Sequence, residues 1–168
     1  MRFSKRGEYA LRALIHLGLA QASGRSTVQI SELAAEDNIP VKFLEQILVQ
    51  LRNARFLESR RGKAGGYSLA KPMHEIRIGD VVRLLDGPLA PISCVSQTAY
   101  ARCSCPDEDH CGLRMLMFDV RNAISNVLDR STLGQIVEIT LKKLRRDRLP
   151  VPCAVKTTPG KPKTKESR

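Results

Sequence analysis

Four of the five cysteines in this chain lie within one short stretch, and they are the sharpest chemical signal in the sequence. They are Cys94, Cys103, Cys105 and Cys111. Among the metals available to proteins, thiolates select zinc, copper(I) and iron–sulfur centres. A chain with few cysteines that places most of them together therefore points to a metal centre or to redox-active thiols.

The spacing of these cysteines bears on which centre they would hold. Structural zinc sites favour ligand pairs separated by roughly two to four residues. Here a single residue separates Cys103 from Cys105, and two thiolates at this spacing fit poorly as ligands of one tetrahedral ion. Irregular spacing in a loop suits an iron–sulfur cluster better. Zinc, a metal-free thiol switch and inert thiols are the alternatives, and His110 beside Cys111 is a candidate additional ligand.

The thiols lie in a region whose composition differs from the rest of the chain. Residues 86–112 are rich in Gly, Pro and Ser and have no apolar period, so we predict a long loop. A loop of this length inside a compact domain usually has a function. The fifth cysteine, Cys153, falls in a basic C-terminal stretch beyond Pro150 and is interpreted as a bystander.

The expected compartment follows from what the sequence does not show. We see no secretory signal and no apolar run long enough to span a bilayer, so we expect a cytoplasmic protein that does not enter a membrane. Disulfide frameworks are rare in the reducing cytosol. The cysteines are therefore interpreted as ligands, redox groups or buried thiols.

Apolar residues recur at three- and four-residue steps on both sides of this loop, and they predict the helices that must position it. The predicted helices cover residues 4–22, 31–38, 41–54, 76–85, 113–129 and 131–146. Ser31 is the expected N-cap of the second helix, and Pro40 fits the start of the third. Residues 56–70 read as a two-stranded ribbon with a glycine-rich, basic tip.

The order of these elements is typical of a winged helix-turn-helix, because a short helix, a turn, a helix and a ribbon follow a first helix. We therefore predict a mainly α fold with a small β-wing and a further long helix after the cysteine loop. The formal net charge of +11 favours a polyanionic partner such as DNA. The alternative is a soluble protein whose basic surface is simply solvated.

The third predicted helix would lie in the major groove, with its apolar face against the first helix. Its polar residues near the N-terminal end, from which base edges are normally reached, are Lys42, Glu45 and Gln46. Further candidates for DNA contacts, at the end of this helix and on the ribbon, are Arg52, Arg60, Arg61 and Lys63.

An enzyme is not expected from this sequence. It shows no nucleophile–base pair and no paired carboxylates in a recognisable setting. The glycine-rich run at 62–66 lacks the spacing and the Lys-Ser/Thr ending of a phosphate-binding loop.

Short segments spread from residue 1 to about 145 together resemble the Rrf2 family of bacterial winged-helix regulators. The most telling are Ile30-Ser31-Glu32-Leu33-Ala34, Phe43-Leu44-Glu45-Gln46-Ile47-Leu48, Gly65-Gly66-Tyr67, Cys105-Pro106 and Cys111-Gly112-Leu113. The resemblance implies a homodimer joined through the helix near 113–129, which would make this the dimerisation helix. It also implies palindromic operator DNA as the partner.

The resemblance further implies an iron–sulfur cluster, either 2Fe–2S or 4Fe–4S, held by three loop cysteines. Cys94, Cys105 and Cys111 fit that pattern. In some members an acidic residue from the other subunit's N-terminal helix is the fourth ligand, and its position corresponds to Glu8. Cys103 is an extra thiol that departs from the family pattern, so it could replace either Cys94 or Cys105 as a ligand or serve as the fourth ligand. The cluster type is therefore left open.

Together these points predict a transcriptional repressor that senses iron, redox state or nitric oxide through the cluster. The alternative is a clusterless regulator that responds to a metabolite, a partner protein or thiol oxidation. The predicted domains are a winged helix-turn-helix (1–86), a cysteine-rich cluster-binding loop (87–112), a dimerisation helix with a C-terminal helix (113–147) and a basic disordered tail (148–168).

Overall fold

The computed structural model of the chain describes residues 3–62 and 65–154. Its helices are α1 (Lys5–Ala22), α2 (Ile30–Asp37), α3 (Val41–Asn53), α4 (Ile78–Asp86), α5 (Gly112–Arg130) and α6 (Leu133–Arg146). Two strands, β1 (Leu57–Arg60) and β2 (Gly66–Leu69), pair antiparallel. The predicted mainly α fold with a small β-wing is confirmed. None of the helices in the described ranges is long and apolar enough to cross a membrane.

Fully buried aliphatic side chains on α1, α2 and α3 form the centre of the core. They include Ala10, Ala13, Leu14, Leu33, Leu44, Ile47, Leu48 and Leu51. Helix α1 packs against α2, α3, α4 and α6, which explains why its apolar stripe is too wide for a surface helix. At Gly18 a Cβ atom would lie 2.6 Å from a methyl group of Val137, so α1 and α6 approach closely there.

Side chains cap two of the helices and fix where they begin. The Ser4 hydroxyl accepts a hydrogen bond from the Gly7 amide, and the Ser4 amide donates to Asp86 at the end of α4 (3.0 Å). Thr132 and Gln135 form a capping box at the start of α6. The helix therefore begins at Leu133, close to its predicted start at residue 131. The first cap joins the ends of α1 and α4.

The prediction that Ser31 caps α2 is wrong by two residues. The helix begins at Ile30 and its cap residue is Gln29. The Gln29 side chain forms no capping hydrogen bond with the first turn. Asn38 ends the helix in the left-handed conformation (φ 52°), and Pro40 precedes α3 as predicted.

A single β-bridge joins the segment before α2 to strand β2 of the wing. Val28 and Tyr67 exchange backbone hydrogen bonds of 3.0 and 2.8 Å, which attaches the segment before α2 to β2. Gly66 has a φ of 152°, and a Cβ atom there would collide with the Val28 carbonyl oxygen. Only glycine fits this position, because the two backbones meet there. The predicted contact residue Lys63 lies outside the described residues.

The chain after α6 returns to the core before the described part ends. Cys153 is only 3% exposed and lies in the same core as α1 and α2, with Val151 packed beside it. The described chain therefore packs on the core as far as Cys153, and this cysteine lies apart from the group of loop cysteines. Residues 155–168 lie outside the described part of the chain.

Candidate cysteine site and nucleic-acid interface

The loop between α4 and α5 brings together all four cysteines that the sequence singles out. Cys94 lies in a 3₁₀ turn (Ser93–Val95) and is 5% exposed, and Cys111 is the cap residue of α5. Cys103 and Cys105 lie between them and are half-buried. Apart from that single turn, the loop has no regular secondary structure, as predicted.

The sulfur atoms of these cysteines form a continuous chain of contacts. The ligand atoms of Cys94, Cys103 and Glu108 all lie within 4.8 Å of one another. Cys103 also hydrogen-bonds Cys105, and the Cys105 and Cys111 sulfurs are 4.0 Å apart. Thiols that lie up to 17 residues apart in the sequence are therefore neighbours in space.

These contacts shift the protonation of the thiols in different directions. Desolvation, followed by the neighbouring Cys103, raises the pKa of Cys94. Hydrogen bonds with Cys103 and Cys111 raise the pKa of Cys105 to about 12, whereas the hydrogen bond with Cys105 lowers the pKa of Cys103. Without metal, Cys94 and Cys105 therefore stay protonated at neutral pH, and a metal that binds to these two thiols must displace their protons.

Sequence reasoning missed Glu108, which lies within this group of thiols. The Tyr100 hydroxyl donates to both Glu108 carboxylate oxygens at 2.9 Å, and the Arg114 guanidinium lies 3.3 Å from one of them. The Tyr100 hydrogen bond to Glu108 is also the main cause that raises the pKa of Tyr100. Glu108 stands between two other acidic residues, so nothing in the sequence distinguishes it from its neighbours.

Two other candidate ligands lie elsewhere within this chain. His110 is exposed and contacts Asp107, with its Nδ1 atom 2.6 Å from a carboxylate oxygen. Glu8 on α1 pairs with Lys5 at 2.9 Å and with Arg12 at 2.8 Å, and the Lys5 hydrogen bond lowers its pKa. Neither belongs to the group that contains Cys94, Cys103 and Glu108.

Two arginines of α5 hold the cysteine loop against this helix. The buried Arg121 (6% exposed) donates from Nη1 to the Val95 carbonyl oxygen at 3.0 Å, and its guanidinium lies over the Phe118 ring. Arg114, two helical turns earlier on the same face, donates from Nε to the Cys94 carbonyl oxygen at 3.5 Å. The backbone around Cys94 is therefore attached directly to α5.

Helix α5 presents two different faces. The face toward its own chain includes Met117, Ile124 and Leu128, which are partly buried. The outer face has side chains spaced alternately three and four residues apart, all exposed in the single chain: Leu113, Leu116, Val120, Ala123 and Val127. This seven-residue repeat is the pattern of a helix that pairs with another helix.

The predicted DNA-reading residues of α3 are exposed on the face opposite the core. Lys42, Glu45 and Gln46 point away from the protein near the N-terminal end of the helix, while Leu44 and Leu48 are fully buried. The buried side chains fix the helix, and the exposed ones are free to meet base edges in a major groove.

The predicted contacts at the end of α3 and on the wing share one groove. Arg52, Arg60 and Arg61 line it together with Gln29 and Ser31 at the start of α2. Three guanidinium groups beside a helix N-terminus form a surface suited to phosphate groups.

Sequence reasoning missed two further basic residues near this surface. Arg55 and Lys71 line a second groove on the other side of Arg52, and Lys71 lies 5.0 Å from the Phe56 ring. Both follow the ends of regular elements, where the apolar period gives no signal.

Comparisons with known proteins agree with this fold. Residues 3–139 match the family described as Rrf2, iron-dependent transcriptional regulator. The chain is 38% identical over 132 residues to an rrf2-like HTH-type transcriptional regulator of Rhodobacter capsulatus, covering 77% of this chain and 88% of that protein.

Solved structures give the same result. The structure of CymR, the global cysteine regulator of B. subtilis, superposes with a TM-score of 0.67 at 29% identity, covering 83% of this chain and 98% of that one. The structure of IscR from T. potens gives a TM-score of 0.64 at 27% identity and covers 89% and 93% of the two chains. These relatives are regulators of transcription, so the prediction that the chain is not an enzyme is confirmed.

Proposed function

Because the chain belongs to the Rrf2 family of transcriptional regulators, we propose that it is a DNA-binding repressor that senses its signal through an iron–sulfur cluster in the loop between α4 and α5. The observation that supports the sensor is the chain of contacts among four thiols that lie far apart in sequence. The signal would be iron, redox state or nitric oxide. A repressor acts where the DNA is, so we infer a cytoplasmic location.

The donor set fits a cluster better than it fits one ion. Four soft ligands lie on a loop that packs on α5 with Cys94 buried, and such surroundings suit iron–sulfur centres. We assign Cys94, Cys105 and Cys111 as ligands and Cys103 as the fourth, because Cys103 already contacts two of them. When bound, the cluster would supply a centre that iron supply, oxidants or nitric oxide can change.

Glu8 is the other candidate for the fourth ligand. In a single chain Glu8 pairs with Lys5 and Arg12 and lies outside the group of loop cysteines. It could therefore bind only the cluster of a second subunit. A cluster held by four loop cysteines does not need it. Replacing Glu8 by Gln should therefore leave the iron content unchanged, whereas Cys103→Ser should lower it.

The proposed DNA-binding form is a homodimer joined through the outer face of α5. Nineteen residues make this helix about 28 Å long, and its seven-residue repeat of exposed apolar side chains matches the seam of a helix pair. A twofold dimer presents two recognition helices to one duplex, so its operator is expected to be palindromic.

The dimer can be tested on the exposed seam of α5. Leu116→Glu would place a charge in the centre of the proposed interface, and we expect sedimentation to show a monomer that binds the operator weakly. Ile139→Glu, on an exposed site of α6, is the matched control and should leave the dimer intact. A Leu116→Glu protein that is still dimeric would rule out this interface.

Signal transmission would follow the contacts between the loop, α5 and α4. The backbone at Cys94 and Val95 is bonded to Arg114 and Arg121, near the start and middle of α5. Near its other end, Asp129 forms two 2.7 Å hydrogen bonds with Arg83 of α4. A change in the loop would therefore shift α5 and alter the spacing of the two recognition helices, on which simultaneous binding to both half-sites depends.

The decisive experiment is an anaerobic preparation with iron and sulfide counted per chain. We expect a coloured protein whose cluster is lost in Cys105→Ser and retained in Cys153→Ser, which replaces the cysteine outside the loop. DNA binding by the holo and apo forms is then compared. A colourless, iron-free protein, even after reconstitution with iron and sulfide, would contradict the cluster.

A clusterless thiol switch is the second candidate, and the 4.0 Å separation of the Cys105 and Cys111 sulfurs favours it. In that reaction the two thiols lose two protons and two electrons and form one disulfide, while an oxidant such as hydrogen peroxide is reduced to water. An iron-free protein whose DNA affinity changes on peroxide treatment, with a two-dalton loss of mass, would support this candidate.

A further inference from the structure

Two buried polar side chains meet at one small cavity behind the cysteine loop. Within residues 3–62 and 65–154, the buried residues with polar or charged side chains are Ser96 and Arg121, which are 8% and 6% exposed. Both line the same cavity, which is bounded by α4, residues 89–98 of the loop and α5. Polar groups are rarely buried without partners, so this cavity is a candidate binding site.

The charge of Arg121 is not neutralised by this chain. Its Nη1 donates to the Val95 carbonyl oxygen at 3.0 Å, its Nη2 donates to the Asn122 amide oxygen at 2.6 Å, and the Phe118 ring lies 4.0 Å away. All three partners are uncharged. In the part of the chain that the structure describes, no acidic side chain forms an ion pair with Arg121, and its buried Nε has no hydrogen-bond partner. A guanidinium stays charged in proteins, and a buried charge is costly without an opposite one.

Two neighbouring arginines are compensated in the ordinary way. Arg114 lies 3.3 Å from a Glu108 carboxylate oxygen, and Arg83 forms two 2.7 Å hydrogen bonds with Asp129. The side chains of Arg114 and Arg83 are also about one-third exposed, so water screens them as well. Arg121 is the most buried of the three and has neither a carboxylate nor solvent. This imbalance points to an anion that is not part of the chain.

The walls of the cavity offer hydrogen-bond donors to such an anion. Besides Ser96 and Arg121, the lining residues are Arg83, Leu89, Ala90, Gln97, Thr98 and Ser125, and none of them is acidic. Three hydroxyls and one amide can therefore donate. The Ser96 hydroxyl already accepts a 3.0 Å hydrogen bond from the Ala99 amide, which leaves its own hydrogen to donate.

The size of the cavity selects the kind of anion. Its free space is about 10 Å³, which is room for one body the size of a water molecule. A chloride ion is only slightly larger, whereas phosphate, sulfate and the carboxylate of a metabolite are much larger. Water would fit too, but it has no charge and would leave Arg121 uncompensated.

We propose that this cavity binds a single monatomic anion, a halide such as chloride, beside the guanidinium of Arg121. The anion would hold the loop on α5, because Ser96 belongs to the loop and Arg121 to the helix. Neither the cluster nor DNA is needed for this binding. The inference therefore stands or fails independently of the proposed function.

The test is the thermal unfolding of the full-length protein in sodium chloride and in sodium gluconate at equal ionic strength. Gluconate screens surface charges equally but is far too large for the cavity. The difference in Tm between the two salts is compared for the wild type and Arg121→Gln, which cancels the general effect of each salt. At about ten times the dissociation constant of chloride, this difference should be roughly 3–6 °C larger for the wild type. Equal differences would overturn the inference.

Arg114→Gln is the matched control. Arg114 lies on the same helix and also donates to a loop carbonyl oxygen, that of Cys94, but it does not line the cavity. Its replacement should leave the chloride response at the wild-type value. If Arg114→Gln and Arg121→Gln lose the response to the same extent, chloride acts elsewhere and the inference is wrong.

Substitutions of Ser125 keep the test decisive if Arg121→Gln fails to fold. Ser125 lies one helical turn after Arg121 and lines the same cavity, so Ser125→Asp places a carboxylate next to the guanidinium. This variant should not respond to chloride, and in gluconate it should melt higher than the uncharged Ser125→Asn. A wild-type chloride response in Ser125→Asp would contradict the site.

Diffraction from crystals of the full-length protein grown in sodium bromide locates the ion. We expect an anomalous peak in the cavity beside Arg121. A carboxylate of a second subunit in that place, or no peak, would overturn the inference. A bromide peak without any chloride response in solution would show binding at crystal concentration only and would also overturn it.

Discussion

The winged half of the chain (3–86) and the sensor half (87–146) position their functional residues in opposite ways. In the winged half, exposed residues such as Glu45 stand on a helix fixed by buried aliphatic side chains such as Leu48. In the sensor half, the only fully buried side chain of α5 is Arg121, and the loop is organised by thiol and polar contacts. The winged half therefore supplies most of the core, to which α6 adds Leu133 and Val137, whereas α5 buries only Arg121.

The largest difference in stability is expected when one leucine in each half is replaced by alanine. Leu48 is fully buried and Leu116 is 57% exposed. Leu48→Ala should lower the free energy of unfolding by about 2–5 kcal/mol, because it leaves a cavity in a close-packed core. Leu116→Ala should instead raise the dissociation constant of the dimer. Chemical denaturation at two protein concentrations measures both effects.

The comparison would fail if the two variants behaved alike. Equal, concentration-independent losses would mean that α5 is part of the monomer core. A loss for Leu116→Ala that disappears at high protein concentration would match a dimer seam.

The next largest effect is expected at the link between the halves. Arg121→Gln shortens the side chain that reaches the Val95 carbonyl oxygen. Coupling between two sites is typically about 1–3 kcal/mol, so the wild type should show roughly a 5- to 150-fold difference in operator affinity between holo and apo forms. In the variant this ratio should fall to about two or less. Iron content serves as the control and should be unchanged.

Changes on the DNA face should affect binding but not sensing. Gln46→Ala should reduce affinity for the operator by about 1–2 kcal/mol and leave binding to unrelated DNA unchanged, since a base contact is lost. Arg60→Gln should weaken binding to all sequences and lower the salt slope by about one, as expected for a phosphate contact. Titrations against both duplexes distinguish the two, and a sequence-specific effect of Arg60→Gln would reverse our assignment.

The smallest effect is expected at the ion pair between α4 and α5. The Arg83 hydrogen bond lowers the pKa of Asp129 below its ordinary value of 3.8. The pair therefore stabilises the fold above that pH, and its contribution is lost as the pH falls through the lower, folded-state pKa. Both side chains are about one-third exposed, so Asp129→Asn should cost about 1 kcal/mol or less at pH 7. Thermal melts should show this difference vanishing in acid.

Much of this molecule could be predicted from the pattern of its residues. The helices α1, α3, α5 and α6 begin and end within about two residues of their predicted bounds, because long apolar periods run along them and Thr132 marks the start of α6. Predictions failed where the signal was local and weak. Ser31 is not the cap of α2, and the chain beyond Arg148 packs on the core although its composition is that of a tail.

The candidate site was only partly predictable. The four loop cysteines could be singled out by type, since thiols in a cysteine-poor chain are informative wherever they fold. Glu108 and Arg121 could not be singled out in this way, because their roles depend on which backbone and side-chain atoms they contact. A charged residue in a loop or on a helix has the same sequence signal whether it is solvated or buried.

The sequence by itself determined the order of the elements, the exposed polar face of α3 and the cysteines that the loop carries. Periodicity and residue chemistry are local properties, so the chain alone specifies them. Only the tertiary structure decided that the four thiols lie side by side, which face of α5 is left open, and that the chain returns to α2 at Cys153. These are distances between residues far apart in the chain, and packing of the whole core sets them.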